Sequence, residues 1–191
     1  MAKKVLGPGV APCLPVWLIS CGDQQGNKNA MVVALCGMMS LKPLSTFAGI
    51  KYDEFSHDII EATGEFVVNI PTVDMARAFD FCGTRSGREV KNKIQEAGLT
   101  ISPATKVSAP LIVESPVNLE CKVIRDIRFD SHHVFIGEVV ATHVEEALLT
   151  ENNKIRSDRL KTFVGLYGDF ATKYVVPQEE AGYHGFSMKE P

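Results

Sequence analysis

Between Val117 and Phe129 the apolar side chains fall largely on alternate positions. Val117, Leu119, Cys121, Val123, Ile127 and Phe129 are separated by Asn118, Glu120, Lys122, Asp126 and Arg128, a period of two that puts one strand face in a core and the other in water. The chain turns at Asp130-Ser131 and returns through "HHVFIGEVVATHVEE". A long hairpin is predicted, with arms that suit a small barrel better than a sandwich of short strands. Upstream, Pro15 to Cys21 is a short apolar run stopped by "GDQQGN", and Ala30 to Leu35 is strand-like again, which predicts another hairpin. Phe47 to Ile50 reads as a short strand, Phe55 to Thr63 as an amphipathic helix closed by Gly64, and Glu65 to Ile70 as a buried strand stopped by Pro71.

Further helices are predicted over Val73 to Phe81, capped by Thr72, and over Gly87 to Ala97, ending at Gly98. Phe163 to Tyr167 is a last strand candidate, and the tail from Val176 has no periodicity, as expected of an extension or an arm onto a partner subunit. The elements are mainly β with flanking helices. The resulting organisation is an extended lead-in over 1–14, one domain over 15–174 and a C-terminal tail or dimer arm over 175–191.

Composition narrows the function classes. With 191 residues, 45% of them hydrophobic, the chain suffices for one sizeable core and is short for two. A net charge of −3 provides no global basic field, so neither nucleic acid nor an anionic membrane surface is an expected partner. The longest uncharged apolar run, Ala30 to Leu41, falls short of the roughly 20 residues that span a bilayer. Lys3-Lys4 followed by an apolar stretch imitates a secretion signal, but Pro8, Pro12 and Pro15 interrupt it. Cys13, Cys21, Cys36, Cys82 and Cys121 are odd in number and contain no C-x-x-C pair, which argues against a disulfide framework or a zinc site and for a reducing cytoplasm.

The stretch "CGTRSGREVKNKIQEAGL", Cys82 to Leu99, opens on small and hydroxylated residues and continues as a basic helix. A helix N-terminus flanked by Arg85, Arg88, Lys91 and Lys93 suits a phosphate. Ser86-Gly87-Arg88-Glu89 equally fits a capping box, in which the serine and glutamate satisfy the donors that a phosphate would otherwise use.

The ordered set "PVWLISCGDQQGNKNAMVVA", "GEFVVNIP", "FCGTRSGREV", "KIQEAGL", "APLIVESPVNLECKV" and "HHVFIGEVVATHVEE" resembles the flavin reductase-like, flavoredoxin-like proteins with the FMN-binding split barrel, from about Pro15 to Tyr174. The resemblance implies a Greek-key antiparallel β-barrel with flanking helices, a homodimer, and FMN, or FAD in its place, in a groove at the dimer interface. It also implies that Asn29 and Ala30 line the flavin, that Ser40 lies in the loop after that strand, that Ser56 and Lys93 reach the phosphate, that Asn69 meets the flavin edge, and that His132, the one catalytic candidate, lies near the isoalloxazine. On pattern alone Asn29 is also a turn residue, Ser56 a helix start, Asn69 a strand-end backbone partner and His132 a surface histidine.

Two departures stand out. Leu35-Cys36-Gly37 replaces a Trp-x-Thr pattern common in similar proteins. The loop "KYDEFS" carries Glu54 where a basic residue is common, with Lys51 as a compensating charge. The function implied is hydride transfer from NADH or NADPH, as a transient donor, to flavin. The alternatives are a non-enzymatic FMN electron carrier serving a redox partner protein, and a dimeric relative without flavin. The chain lacks a G-x-G-x-x-G dinucleotide fingerprint, so a nicotinamide would bind in the flavin groove itself.

Overall fold

The computed structural model describes residues 3–5, 7–9, 11–167 and 172–177. In chain order the strands are β1 (Cys13–Pro15), β2 (Trp17–Gly22), β3 (Lys28–Val33), β4 (Cys36–Leu41) and β5 (Leu44–Ile50), then β6 (Glu65–Asn69), β7 (Ile101–Ser102), β8 (Leu111–Ile112), β9 (Val117–Arg128), β10 (His133–Val144), β11 (Val164–Leu166) and β12 (Lys173–Val175). The helices are α1 (Phe55–Thr63), α2 (Ala76–Thr84, led by a 3-10 turn over Val73–Met75) and α3 (Lys93–Glu96).

Seven strands form one antiparallel sheet in the order β3-β2-β6-β9-β10-β5-β4. Its two edges, β3 and β4, are consecutive in sequence and joined only by Ala34 and Leu35. A flat sheet of this size would hold its edges roughly 29 Å apart at about 4.8 Å per strand. Three Cα steps reach at most about 11 Å. The sheet therefore has to curl until its edges meet, and the Gly49 N–H donates to the Leu35 carbonyl at 2.7 Å, carrying the β4–β5 ladder into the step that joins the edges. The mainly β, antiparallel split barrel implied by the resemblance is the fold observed.

Alternation sorts the side chains. Ile19 and Cys21 of β2, with Met31 and Val33 of β3, point into the barrel with Phe66, Val68, Cys121 and Phe135, and Ile59 and Ile60 of α1 join them. Leu18 and Ala30 point the other way, onto a second core with Phe79, Cys82, Ile94, Ile112 and Phe163. Strand β2 is thus buried on both faces, which is why it reads as a continuous apolar run. Helix α1 ends where Gly64 takes the left-handed conformation (φ 67°) and its N–H bonds the Ile60 carbonyl at 2.8 Å.

Two boundaries differ from expectation. Cys13 and Leu14, placed in the lead-in, belong to β1 and pair with β11. No continuous helix runs from Gly87 to Ala97. A turn over 86–90 is followed by α3 alone, and Gly87 in that turn packs so closely that a Cβ there would meet Asn29 Oδ1 and Phe55 Cδ1 at 2.7 Å. The tail beyond Pro177 lies outside the described residues. Among the described residues no helix is long and apolar enough to cross a membrane.

Candidate functional site

The edge strand β3, the start of α1 and the end of α2 converge beside the turn at Ser86. Asn29 of β3 is buried and its Nδ2 donates to Ser56 Oγ in the first turn of α1 at 2.9 Å. Its Oδ1 is buried without a hydrogen-bond partner, a condition that costs roughly 1–3 kcal/mol in a protein interior. Further along the same strand a cavity of about 300 Å³ is lined by Met31 and Val32 of β3, Glu54 at the entry to α1, Cys82 to Thr84 of α2, and Arg85, Ser86 and Glu89.

Lys93, the first residue of α3, reaches the C-terminal end of α2. It is buried, and its Nζ donates to the carbonyls of Cys82 at 3.1 Å and Arg85 at 2.8 Å, the orphan acceptors at the end of α2. Burial pulls its pKa down, while the Cys82 thiol and the Glu54 carboxylate oppose that fall. The capping box is not formed. Ser86 Oγ accepts from the Arg88 N–H at 3.2 Å, and Glu89 lines the cavity instead of reaching back. Arg88, counted from sequence among the charges around a phosphate, bonds Asp58 at 2.7 Å.

The other sequence-derived residues lie apart from this network. Ala30 is packed in the core between β3 and the helices. Ser40 Oγ accepts the Lys42 N–H at 3.1 Å within the β4–β5 turn, and Lys51 is exposed, its carbonyl accepting the Glu54 N–H at 3.2 Å. The side chain of Asn69 is spent inside the protein: Nδ2 donates to the Leu18 carbonyl (3.0 Å) and Ser20 Oγ (2.9 Å), while Oδ1 accepts from the Ile112 N–H (3.0 Å) and Asn118 (2.8 Å). His132 is half-buried in the β9–β10 turn with its Nδ1 2.9 Å from Ser131 Oγ.

Its neighbour His133 is the larger surprise. It is buried, and its Nδ1 lies 3.1 Å from Nε2 of buried His57, while its Nε2 lies 2.8 Å from Asp126. Hydrogen bonding to His133 comes first among the causes that hold the Asp126 carboxyl below its usual range. The sequence signal was present in the register: His133 and Phe135 share the inward face of β10, a face that a lone histidine takes only with partners. The thiols of Cys21, Cys36 and Cys121 are pushed up to about 12 by burial and that of Cys82 to about 11, so none of these four is a thiolate nucleophile at neutral pH.

Comparison with known proteins agrees with this geometry. The flavin reductase like domain family matches residues 12–159. An uncharacterised protein of Archaeoglobus fulgidus is 32% identical over 131 residues, 68% of this chain and 72% of its own. Among solved structures, flavoredoxin of Desulfovibrio vulgaris (Miyazaki F) superposes with a TM-score of 0.88 at 26% identity, covering 98% of this chain and all of its own. An FMN-binding domain of a flavin reductases-like enzyme from Shewanella baltica shares the fold at 20% identity and a TM-score of 0.75, over 88% of each chain.

Proposed function

The chain belongs to the flavin reductase like domain family, and on that footing we propose that it binds FMN and uses it to pass reducing equivalents from NADH or NADPH to flavin. The observation that carries the proposal is the orphaned Oδ1 of Asn29, on the same strand that supplies Met31 and Val32 to the cavity wall. A buried acceptor without a donor fits a ligand that brings one, and a flavin offers hydroxyl and ring N–H donors. Ser56 would orient Asn29 through the bond already made to its Nδ2. Lys93 has a third ammonium proton beyond the two carbonyls it serves, and that proton is its means of meeting a phosphate. Bound there, FMN would supply the two-electron chemistry, and the protein would supply orientation, electrostatics and exclusion of water.

The same proposal includes a homodimer, supported by apolar side chains exposed on β4 (Met38, Met39, Leu41) and β9 (Ile124, Ile127), with Phe129 beside them. His132 would stand near the flavin ring from the β9–β10 turn. A reducing cytoplasm suits Cys13, Cys21, Cys36, Cys82 and Cys121, all free thiols. The likeness to flavoredoxin favours a second reading, in which bound FMN exchanges electrons with a partner protein without turning over nicotinamide.

Steady-state oxidation of NADH and NADPH by the purified protein with added FMN or FAD tests the first reading. Turnover with free flavin is expected. A yellow protein that holds FMN and is inert toward both nicotinamides supports the second. A colourless protein that takes up no flavin overturns both.

A further inference from the structure

We propose that His57, His133 and Glu61 form a binding site for a divalent first-row transition-metal cation, with zinc as the natural probe. His57 and Glu61 stand one turn apart on the same face of α1, and His133 reaches them from β10. The three candidate ligand atoms lie within 4.8 Å of one another.

Proton positions make the case. Nδ1 of His57 lies 3.3 Å from Asp58 and Nε2 of His133 lies 2.8 Å from Asp126, and a ring nitrogen facing a carboxylate carries its hydrogen there. In the neutral tautomers this leaves lone pairs on both His57 Nε2 and His133 Nδ1, which face each other at 3.1 Å. Two lone pairs at that distance repel unless a proton or a metal cation lies between them. Two nitrogens each about 2.0–2.1 Å from one zinc ion sit about 3.3 Å apart at the tetrahedral angle and about 2.9 Å apart at a right angle. The observed 3.1 Å falls between these values.

The surroundings fit a metal as well. Glu61 Oε1 is 3.9 Å from His133 Nδ1, and its half-exposed side chain can close the remaining gap by rotation. Asp58 and Asp126 stand behind the two rings as the carboxylate–histidine pairs that fix the tautomer of metal ligands. Besides the two imidazoles, Asp58, Glu61 and Asp126 pair among the described residues with the guanidiniums of Arg88 and Arg128, leaving one negative charge that a cation at the rings would answer. A cavity of about 160 Å³, lined in part by Glu61, Asp126, Arg128 and His133, leads to the site. Three protein ligands leave a coordination position for water, and the ion would pin α1 to the β9–β10 hairpin.

The test uses tag-free, flavin-free protein stripped with a chelator, so that its outcome is separate from that of the flavin proposal. Zinc is titrated by calorimetry and thermal melting, and cobalt by visible absorption. One ion per chain is expected, with a raised Tm and a cobalt spectrum without a thiolate charge-transfer band. His57→Asn and His133→Asn should abolish binding, and Asp126→Asn should weaken it about 10- to 100-fold. Glu61→Gln, at a half-exposed position, should also weaken zinc, and it keeps the test valid if a histidine variant fails to fold. Absence of saturable zinc binding by the wild type, unchanged affinity in Glu61→Gln and a folded His133→Asn, or a thiolate band with cobalt would each overturn the site.

Discussion

Lys93 and Arg85 are joined by a hydrogen bond of 2.8 Å from Nζ to a main-chain carbonyl, so the lysine that the resemblance assigns to a phosphate is first the cap of α2. Lys93→Met would leave the Cys82 and Arg85 carbonyls without their donor in a buried place. The expected cost is about 1–3 kcal/mol of stability, read from the midpoint of urea denaturation. If Lys93 also meets the flavin phosphate, FMN affinity falls about tenfold or more while riboflavin affinity hardly changes once both are measured on folded protein. Equal losses for both flavins would assign Lys93 to the cap alone.

Glu54 lines the cavity beside Arg85 and Ser86, and its field acts on Lys93. Replacing it by the basic residue common in similar proteins, Glu54→Arg, should tighten FMN, with the gain shrinking as salt is raised. Titration by fluorescence quenching at low and high ionic strength measures this. Unchanged affinity would mean that the phosphate lies elsewhere.

Glu120 anchors the loop between β7 and β8. Its fully buried carboxylate accepts N–H bonds from Thr105 (2.8 Å), Lys106 (2.6 Å) and Val107 (3.1 Å), and the Thr105 hydroxyl (2.7 Å) and His143 Nε2 (2.5 Å) also meet it. Burial pushes its pKa up, but the Thr105 N–H, His143, the Thr105 hydroxyl and the Lys106 N–H together outweigh it and bring the pKa to about 2, below the ordinary 4.5. Because the folded value is the depressed one, the stabilisation is complete above pH 4.5 and is lost as pH falls from 4.5 through 2. Glu120→Gln should cost roughly 2 kcal/mol at neutral pH and flatten the acid limb of the stability curve.

Met38 and Leu41 are 48% and 81% exposed on the edge strand β4. Light scattering at low micromolar concentration should find a dimer, and Met38→Glu with Leu41→Glu should shift it to monomer. FMN affinity should fall in the same variant if the groove is shared between copies. A monomer that binds FMN at full strength would remove the interface from the site.

What the chain determined by itself was local. The alternation from Val117 to Phe129 appears as β9, Gly64 ends α1 at a left-handed residue, and "GDQQGN" turns β2 into β3, because each of these depends on neighbours within a few positions. The resemblance supplied the barrel, yet its closure rests on the two-residue step from β3 to β4, which a period-two pattern cannot register. Tertiary structure alone decided what the polar residues do. Asn69 looks free in "NIP" but is saturated by Leu18, Ser20, Ile112 and Asn118, and His133 looks inert beside His132 but meets His57 from 76 positions away. A side chain's hydrogen bonds depend on which groups folding brings within about 3 Å, and between residues far apart in sequence that distance exists only once the sheet has closed.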